Sequence, residues 1–341
     1  MSIMDTLREL SLKNGISGFE DEVRDYICYQ LVGLAEYKID NLGNIIAFKK
    51  GRKTPEKKLM ISAHMDEVGF VVTHINSDGT LKIGEVGGID NRVVFGRRVL
   101  VGNKKLMGVI GSKAIHNCSA SERSSVAPIE RMNVDIGAKS YENALENVAL
   151  GEPVSFISDF IEFGYGFVKG KAIDDRAGCA IMLDLIRSDL EYDTYFTFVV
   201  QEEVGLRGAT SAAFSVNPDI AIVLEATTAA DIPSSSGEKK VCQCKKGPVV
   251  SFMDKRTIYD NELYKLAFDT AKEEGIPCQT KTVVAGGNDS GAIHISGDGV
   301  RTISISLPCR YLHSPSCVIA KEDFENANKL TAALIKKVHS L

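Results

Sequence analysis

Residues 175–203 read DRAGCAIMLDLIRSDLEYDTYFTFVVQEE, and the change of texture inside this stretch decides the fold. The first half, opening on Asp175, is a long apolar segment of helical character. The second half, Thr194 to Val200, is a short aromatic and β-branched run that ends in two glutamates. A helix followed at once by an apolar strand is one link of a strand–helix alternation. The alternation continues through GATSAAF (208–214), IAIVLE (220–225), NELYKLAFDTAKEEG (261–275), TISISLP (302–308) and KEDFENANKLTAALIKKVHSL (321–341). This pattern predicts an α/β fold with a mixed, largely parallel sheet covered by helices.

Upstream, residues 5–35 have helical periodicity, and Glu20, Asp21 and Glu22 fall in the first turn of a second helix, where the macrodipole favours acids. IDNLGNIIAFKKG (39–51) is strand-like, and the charged loop GRKTPEKK leads into the apolar strand LMISAH (59–64). Between about residues 69 and 163 the texture differs. GFVVTHI, TLKIGEV, VVFGRRVLV, KLMGVIGS and PVSFISDF are short β-prone runs separated by Gly, Asn and Asp, and only ENALENVA and its neighbours look helical. Closely spaced short strands predict a small barrel or sandwich. The expected organisation is a discontinuous α/β domain, residues 1–68 and 164–341, interrupted by a β domain over 69–163.

The 341 residues carry 40 Lys and Arg against 45 Asp and Glu, a net charge of −5, which gives no basis for nucleic-acid or anionic-membrane binding. No apolar run approaches a membrane span, and the N-terminus lacks the basic and apolar regions of a signal peptide. A cytoplasmic location is expected. The eight cysteines show no CxxC pair. Cys242 and Cys244 form a C-x-C that could be half of a soft-metal site but is expected as one strand with both thiols on one face, and the others, Cys179 among them, as buried small hydrophobes. His294 is expected to be a satisfied core histidine, and His339 a solvated one.

Five apolar runs end in potential metal ligands: His64 and Asp66, Asp174, Glu202 and Glu203, Glu225, and His313. Side chains at the carboxyl ends of parallel strands converge on one crevice, and imidazoles with carboxylates there suit a pair of zinc-like ions. In extended backbone His64 and Asp66 point the same way, so Asp66 can orient the ring of His64. Of Asp174 and Asp175, one carboxylate could bridge two cations while its neighbour points elsewhere or caps the helix. Of Glu202 and Glu203, one can ligate while the other activates water. Taken singly, a surface His–Asp pair, helix-capping aspartates and a solvated strand end explain these features as well. The five together, in this order, point to a metallohydrolase.

AHMDEVGF (63–70), KAIDDRAG (171–178), QEEVGLRGA (201–209), Glu225 and YLHSP (311–315) resemble, in order and spacing, the M42 metallopeptidases. These are the tetrahedral or glutamyl aminopeptidases of the wider zinc-aminopeptidase clan. GGNDSGAIHIS (286–296) is similar to the glycine-rich loop of that family, with Asn288 where threonine is usual. The resemblance runs nearly end to end, inserted domain included.

It implies two divalent ions per chain, Zn2+ first and Co2+ or Mn2+ next. Asp174 would bridge them, His64 and Glu225 would complete one site, and Glu203 and His313 the other. Glu202 would be the general base and acid, with Asp66 supporting His64. The substrates implied are peptides with a free N-terminus. The inserted domain would mediate dimerisation within a homo-oligomer, a tetrahedral dodecamer. Two positions depart from the family pattern: Glu225 stands where aspartate is common, and Ser316 and Cys317 follow His313-Ser-Pro where a glutamate is common.

Three other functions are weighed against this one. An amidase or deacylase acting on small amides is the nearest. A glycoside hydrolase would leave both histidines without a role, and the chain has no Trp for sugar stacking. A catalytically inactive assembly protein would not need Glu202 and every ligand. Lys245, Lys246, Arg256 and Arg310 are candidates to select an acidic side chain, with exposed solubilising charge as the plainer account.

Overall fold

The structure, a computed structural model, describes residues 1–233 and 235–341. At its centre, strand Leu59–His64 is buried at every residue. It pairs in parallel with Thr194–Val199 on one side and Ile220–Thr228 on the other, and the latter pairs in parallel with Arg301–Cys309. Strands enclosed on both faces have no solvent side for alternate polar residues, which is why LMISAH and IAIVLE are continuous apolar runs. Antiparallel Ile45–Lys49 and Glu36–Ile39 extend one edge, and Val249–Val250 and Gln279–Thr280 the other, giving eight strands. The edge strand Glu36–Ile39 is exposed at all four residues.

Helix Ile173–Arg187 lies across the two central strands beneath helices Ile3–Leu12, Asp21–Leu31 and Lys321–Lys337. Covered on all sides, it is apolar nearly all round. Helices Arg207–Val216 and Ser290–Ile293 share a second core with Met60, Val199 and Val223 on the opposite face.

The strands Gly69–Ile75, Leu81–Val86, Arg98–Val101, Leu106–Gly111, Asn133–Asp135 and Pro153–Phe156 close into a barrel. Its separate core includes Phe70, Leu81, Val99, Ile110 and Phe156, with the Phe70 and Phe156 rings edge to face at 5.3 Å. Of the expected strand VVFGRRVLV only Arg98–Val101 pairs, because Asn91–Val93 is a 3-10 turn and Gly96 takes φ +75. Strand Ile161–Phe163 pairs with Phe167–Gly170, which pairs with Cys317–Ala320. This small sheet ties the chain leaving the barrel to the segment that follows His313.

Three expectations fail in whole or in part. Of the cysteines expected to be buried, Cys28, Cys118 and Cys278 are only partly so. Cys242 and Cys244 do not lie on a strand. They sit in a loop packed over the sheet end, with Cys242 Sγ 3.4 Å from the Thr228 carbonyl and Cys244 Sγ 3.8 Å from that of Pro308. The ring of His339 is not solvated: it stacks 4.3 Å from Tyr192 with both nitrogens buried. No disulfide occurs among the described residues, and no helix of the described residues is long and apolar enough to cross a membrane.

Candidate metal centre

All seven residues expected at the site converge at the carboxyl end of the parallel strands. His64 is the last residue of its strand and is 1% exposed. Its Nδ1 lies 3.1 Å from the Asp66 carbonyl oxygen and 3.4 Å from Asp66 Oδ1. Those acceptors place the ring proton on Nδ1 and leave the Nε2 lone pair facing the cleft. That Nε2 is 3.4 Å from Asp174 Oδ1 and 3.6 Å from Glu225 Oε1.

His313 is built the same way from a different part of the chain. Its backbone is left-handed, φ +55, which turns the ring back over the sheet end. Nδ1 lies 2.9 Å from the carbonyl of Gly88, contributed by the inserted segment. Nε2 stands 3.3 Å from Asp174 Oδ2 and 3.3 Å from Glu203 Oε2.

Asp174 thus offers one oxygen to each imidazole. It precedes the regular turns of its helix, since Asp174 and Asp175 have non-helical angles. Asp175 caps those turns by accepting from Gly178 N at 2.9 Å. Glycine is required at 178 because a Cβ would stand 2.4 Å from Asp175 Oδ2.

The donor set fits divalent cations. His64 Nε2, Asp174 Oδ1 and Glu225 Oε2 are buried with no hydrogen-bond partner, a costly state for isolated polar groups. Lone pairs facing carboxylate oxygens repel unless something positive lies between them. Ligands held about 2.0–2.1 Å from a tetrahedral ion stand roughly 3.4 Å apart, close to the 3.3–3.6 Å seen here. His64 with Asp174 and Glu225, and Asp174 with Glu203 and His313, form two three-ligand groups sharing Asp174; His64, Glu202 and Glu203 form a third.

Proton affinities reflect the same surplus of negative charge. Burial pushes Glu202 and Glu225 well above the usual carboxylate range, and neighbouring carboxylates add to it. Burial and the charge on Asp174 take Glu203 to about 8. Burial opposes charge on His313, but Asp174 and Glu203 outweigh it and raise the ring to about 10. His64 likewise rises against its burial because Asp174, Asp66 and Glu225 surround it. A bound cation supplies the positive charge that protons otherwise provide.

Asp66 does more than orient His64. Its carboxylate accepts from Ser17 Oγ at 2.6 Å and from the backbone N–H groups of Glu202 and Glu203 at 3.0 and 3.1 Å. Glu225 accommodates its longer side chain by curling back, with Oε1 accepting from Ala226 N at 3.1 Å. At the other departure, Cys317 lies beside Asp174, Glu203 and His313 around a small cavity.

Several site residues are not singled out by the sequence reading. Glu67 Oε1 meets Lys171 Nζ at 2.5 Å and Arg176 at 3.5 Å, all three buried. Arg176 also donates to the Met65 carbonyl at 2.6 Å and that of Leu10 at 2.7 Å, tying the HxD turn to the first helix. An arginine inside an apolar helix was the available clue. Asp289, from the glycine-rich loop, is fully buried with both oxygens unpartnered, and burial raises it to about 7.

The cluster opens into a cavity of about 690 Å³. Of the four suggested selecting cations only Arg256 lines it, joined by Lys255 and Lys281. Arg310 is held by Asp231 at 2.6 and 2.7 Å, and Lys245 Nζ donates to the Tyr165 carbonyl.

The chain is similar to known proteins over nearly its whole length. The chain is 39% identical over 336 residues to a putative aminopeptidase of Acetivibrio thermocellus, covering 98% of each. Its fold superposes on the TET aminopeptidase of a marine sediment thaumarchaeon with TM-score 0.94 and 34% identity, over 98% and 96% of the two chains. On the Pyrococcus horikoshii TET1 peptidase, described as assembling into a tetrahedron or a large octahedral shell, the TM-score is 0.87 with 33% identity over 98% and 99%. Residues 43–330 match the model of the M42 glutamyl aminopeptidases, and the chain belongs to that family.

Proposed function

We propose that this protein is a two-metal aminopeptidase that removes N-terminal residues from peptides. The observation that carries the reading is Asp174, whose two oxygens face two imidazoles at 3.4 and 3.3 Å. Asp174 would serve both ions, His64 and Glu225 would hold one, and Glu203 and His313 the other. Zinc suits these ligands, as do cobalt and manganese. Bound there, the ions supply Lewis acidity, lowering the pKa of water and polarising the scissile carbonyl.

Glu202 is the group left to move protons. It lines the cavity beside the ligands, where a carboxylate can accept a proton and give it back. It takes a proton from water as attack begins and returns it to the leaving amine. Asp66 holds the Glu202 and Glu203 amides, so base and ligand keep a common register. Lys255, Arg256 and Lys281 line the same cavity and favour an acidic side chain on the substrate.

The catalytic unit comprises residues 1–68 and 164–341. The barrel over 69–163 serves dimerisation, within a homo-oligomeric shell of the kind described for the Pyrococcus horikoshii protein. The amidase alternative is separated by assaying free-amine against N-blocked peptides, since only an aminopeptidase requires the free amine. Glu202→Gln decides the central claim: both metals should remain bound while kcat falls by at least about a thousandfold. A variant that binds both ions and turns over at the wild-type rate refutes it.

A further inference from the structure

The turn that carries Glu202 is held by side chains to an unusual degree. Beyond strand Thr194–Val199, four successive backbone N–H groups each donate to a side-chain oxygen. Val200 donates to Asn44 Oδ1 at 2.9 Å, Gln201 to Glu20 Oε1 at 3.2 Å, and Glu202 and Glu203 to Asp66 at 3.0 and 3.1 Å. Gln201 takes φ +56, a conformation that long side chains adopt only when their surroundings hold it.

Glu20 is the least expected of these acceptors. It directly precedes helix Asp21–Leu31, yet its side chain makes no capping hydrogen bond to that helix. Instead the carboxylate, on a residue only 5% exposed, accepts from Gly18 N at 2.8 Å and reaches across to Gln201. Burial, with the charge of Asp66 contributing, raises it to about 7. Placing one buried carboxylate beside another costs stability, so packing alone gives no reason for it. The hydrogen bond to Gln201 does.

We propose that Glu20 is a positioning residue for the general base. By accepting the Gln201 amide, it fixes the left-handed residue from which the Glu202 side chain is aimed at the reacting centre. Asn44 anchors the other end of the turn. Its Oδ1 takes Val200 N, and its Nδ2 donates to the Gly208 carbonyl at 3.0 Å. Gly208 is packed so closely that a Cβ there would stand 2.3 Å from Val200 O and 2.4 Å from Asn44 Oδ1. The two supports come from segments remote in sequence from Glu202, and the hydrogen bonds of neither side chain go to a metal ligand's side chain. This inference rests on Glu202 being the base.

The test compares Glu20→Ala and Glu20→Gln as purified, metal-loaded enzymes, with kcat, KM, metal content and melting temperature measured on each. A misplacement of about 1 Å at a reacting group costs up to roughly a hundredfold. Glu20→Ala should therefore lose about 10- to 100-fold in kcat, with KM within about twofold and two ions still bound. Glu20→Gln keeps an acceptor for the Gln201 amide and should recover kcat to within about threefold of wild type. A Glu20→Ala kcat within about twofold of wild type overturns the proposal, as does a loss that simply follows loss of metal, or an equal loss in Glu20→Gln. If Glu20→Ala does not fold, Glu20→Asp decides. Its shorter side chain withdraws from Gln201, and a wild-type kcat would again overturn the idea. Glu202→Gln, run alongside, separates the two claims: full activity there removes the base itself, whereas an inactive Glu202→Gln beside a fully active Glu20→Ala removes only the positioning role.

Discussion

Asp174 Oδ2 and His313 Nε2 stand 3.3 Å apart, although 139 positions separate the two residues in sequence. The other oxygen of the same carboxylate faces His64. Replacing Asp174 with Asn removes the charge that the two proposed ion sites would share. Metal analysis of Asp174→Asn should give fewer than one tightly held ion per chain, with activity down by at least about a thousandfold. Retention of two ions would show that the carboxylate does not bridge.

Protons and cations compete for the same ligands. Glu203 is raised to about 8 and His313 to about 10 when no cation balances the cluster, and ions must displace those protons. Metal affinity, measured by calorimetry, should therefore rise steadily from pH 6 to pH 8 and release protons to the buffer. Removing metal with a chelator should abolish turnover and lower the melting temperature, and reloading should restore both.

Away from the cluster, Asp323 offers a cleaner pH effect on stability. It is fully buried, accepts from the Lys245 and Gly247 amides at 2.6 and 2.8 Å, and burial raises it to about 6. A carboxyl that binds its proton more tightly when folded contributes stability below the unfolded value near 3.8, and that contribution is lost as pH rises through about 6. Between those limits the wild type should lose up to about 1.4 kcal/mol per pH unit relative to Asp323→Asn, read from urea melts. Parallel curves for the two proteins would show that Asp323 does not titrate in this window.

Gly178→Ala tests the local packing that holds Asp174. Its new Cβ would stand 2.4 Å from Asp175 Oδ2, so Asp175 must give up the cap or the helix must shift. A loss of about 2 kcal/mol or more is expected, together with weaker metal binding. Unchanged stability would mean that the Asp175 side chain moves freely.

Substrate choice should follow the cations of the cavity. Arg256→Ala combined with Lys281→Ala should lower kcat/KM for N-terminal Glu or Asp by at least about tenfold, while altering Ala or Leu substrates little. A panel of aminoacyl amides reads this directly, and a uniform loss across the panel would point to damage rather than selection.

Much of the site could be read along the chain because each ligand ends a run whose burial pattern is local. LMISAH, FTFVV and IAIVLE are buried throughout, since central parallel strands have no wet face, and a charged residue at such an end needs a partner. The same locality explains the failures. Spacing places Cys242 and Cys244 on a strand, but their position depends on a loop laid over Thr228 and Pro308. A place near the terminus suggests solvent for His339, yet Tyr192 packs against it.

The sequence by itself determined the order of elements, the interruption by a β-rich insert, and the candidate side chains at the strand ends, because periodicity and strand-end chemistry are properties of neighbouring residues. Only the tertiary structure decided which oxygen of Asp174 faces which imidazole, that Gly88 orients His313, and that Glu20, Asn44 and Asp66 hold the turn bearing Glu202. Those relations join residues far apart in the chain, and no local preference encodes the distance at which packed strands bring them together.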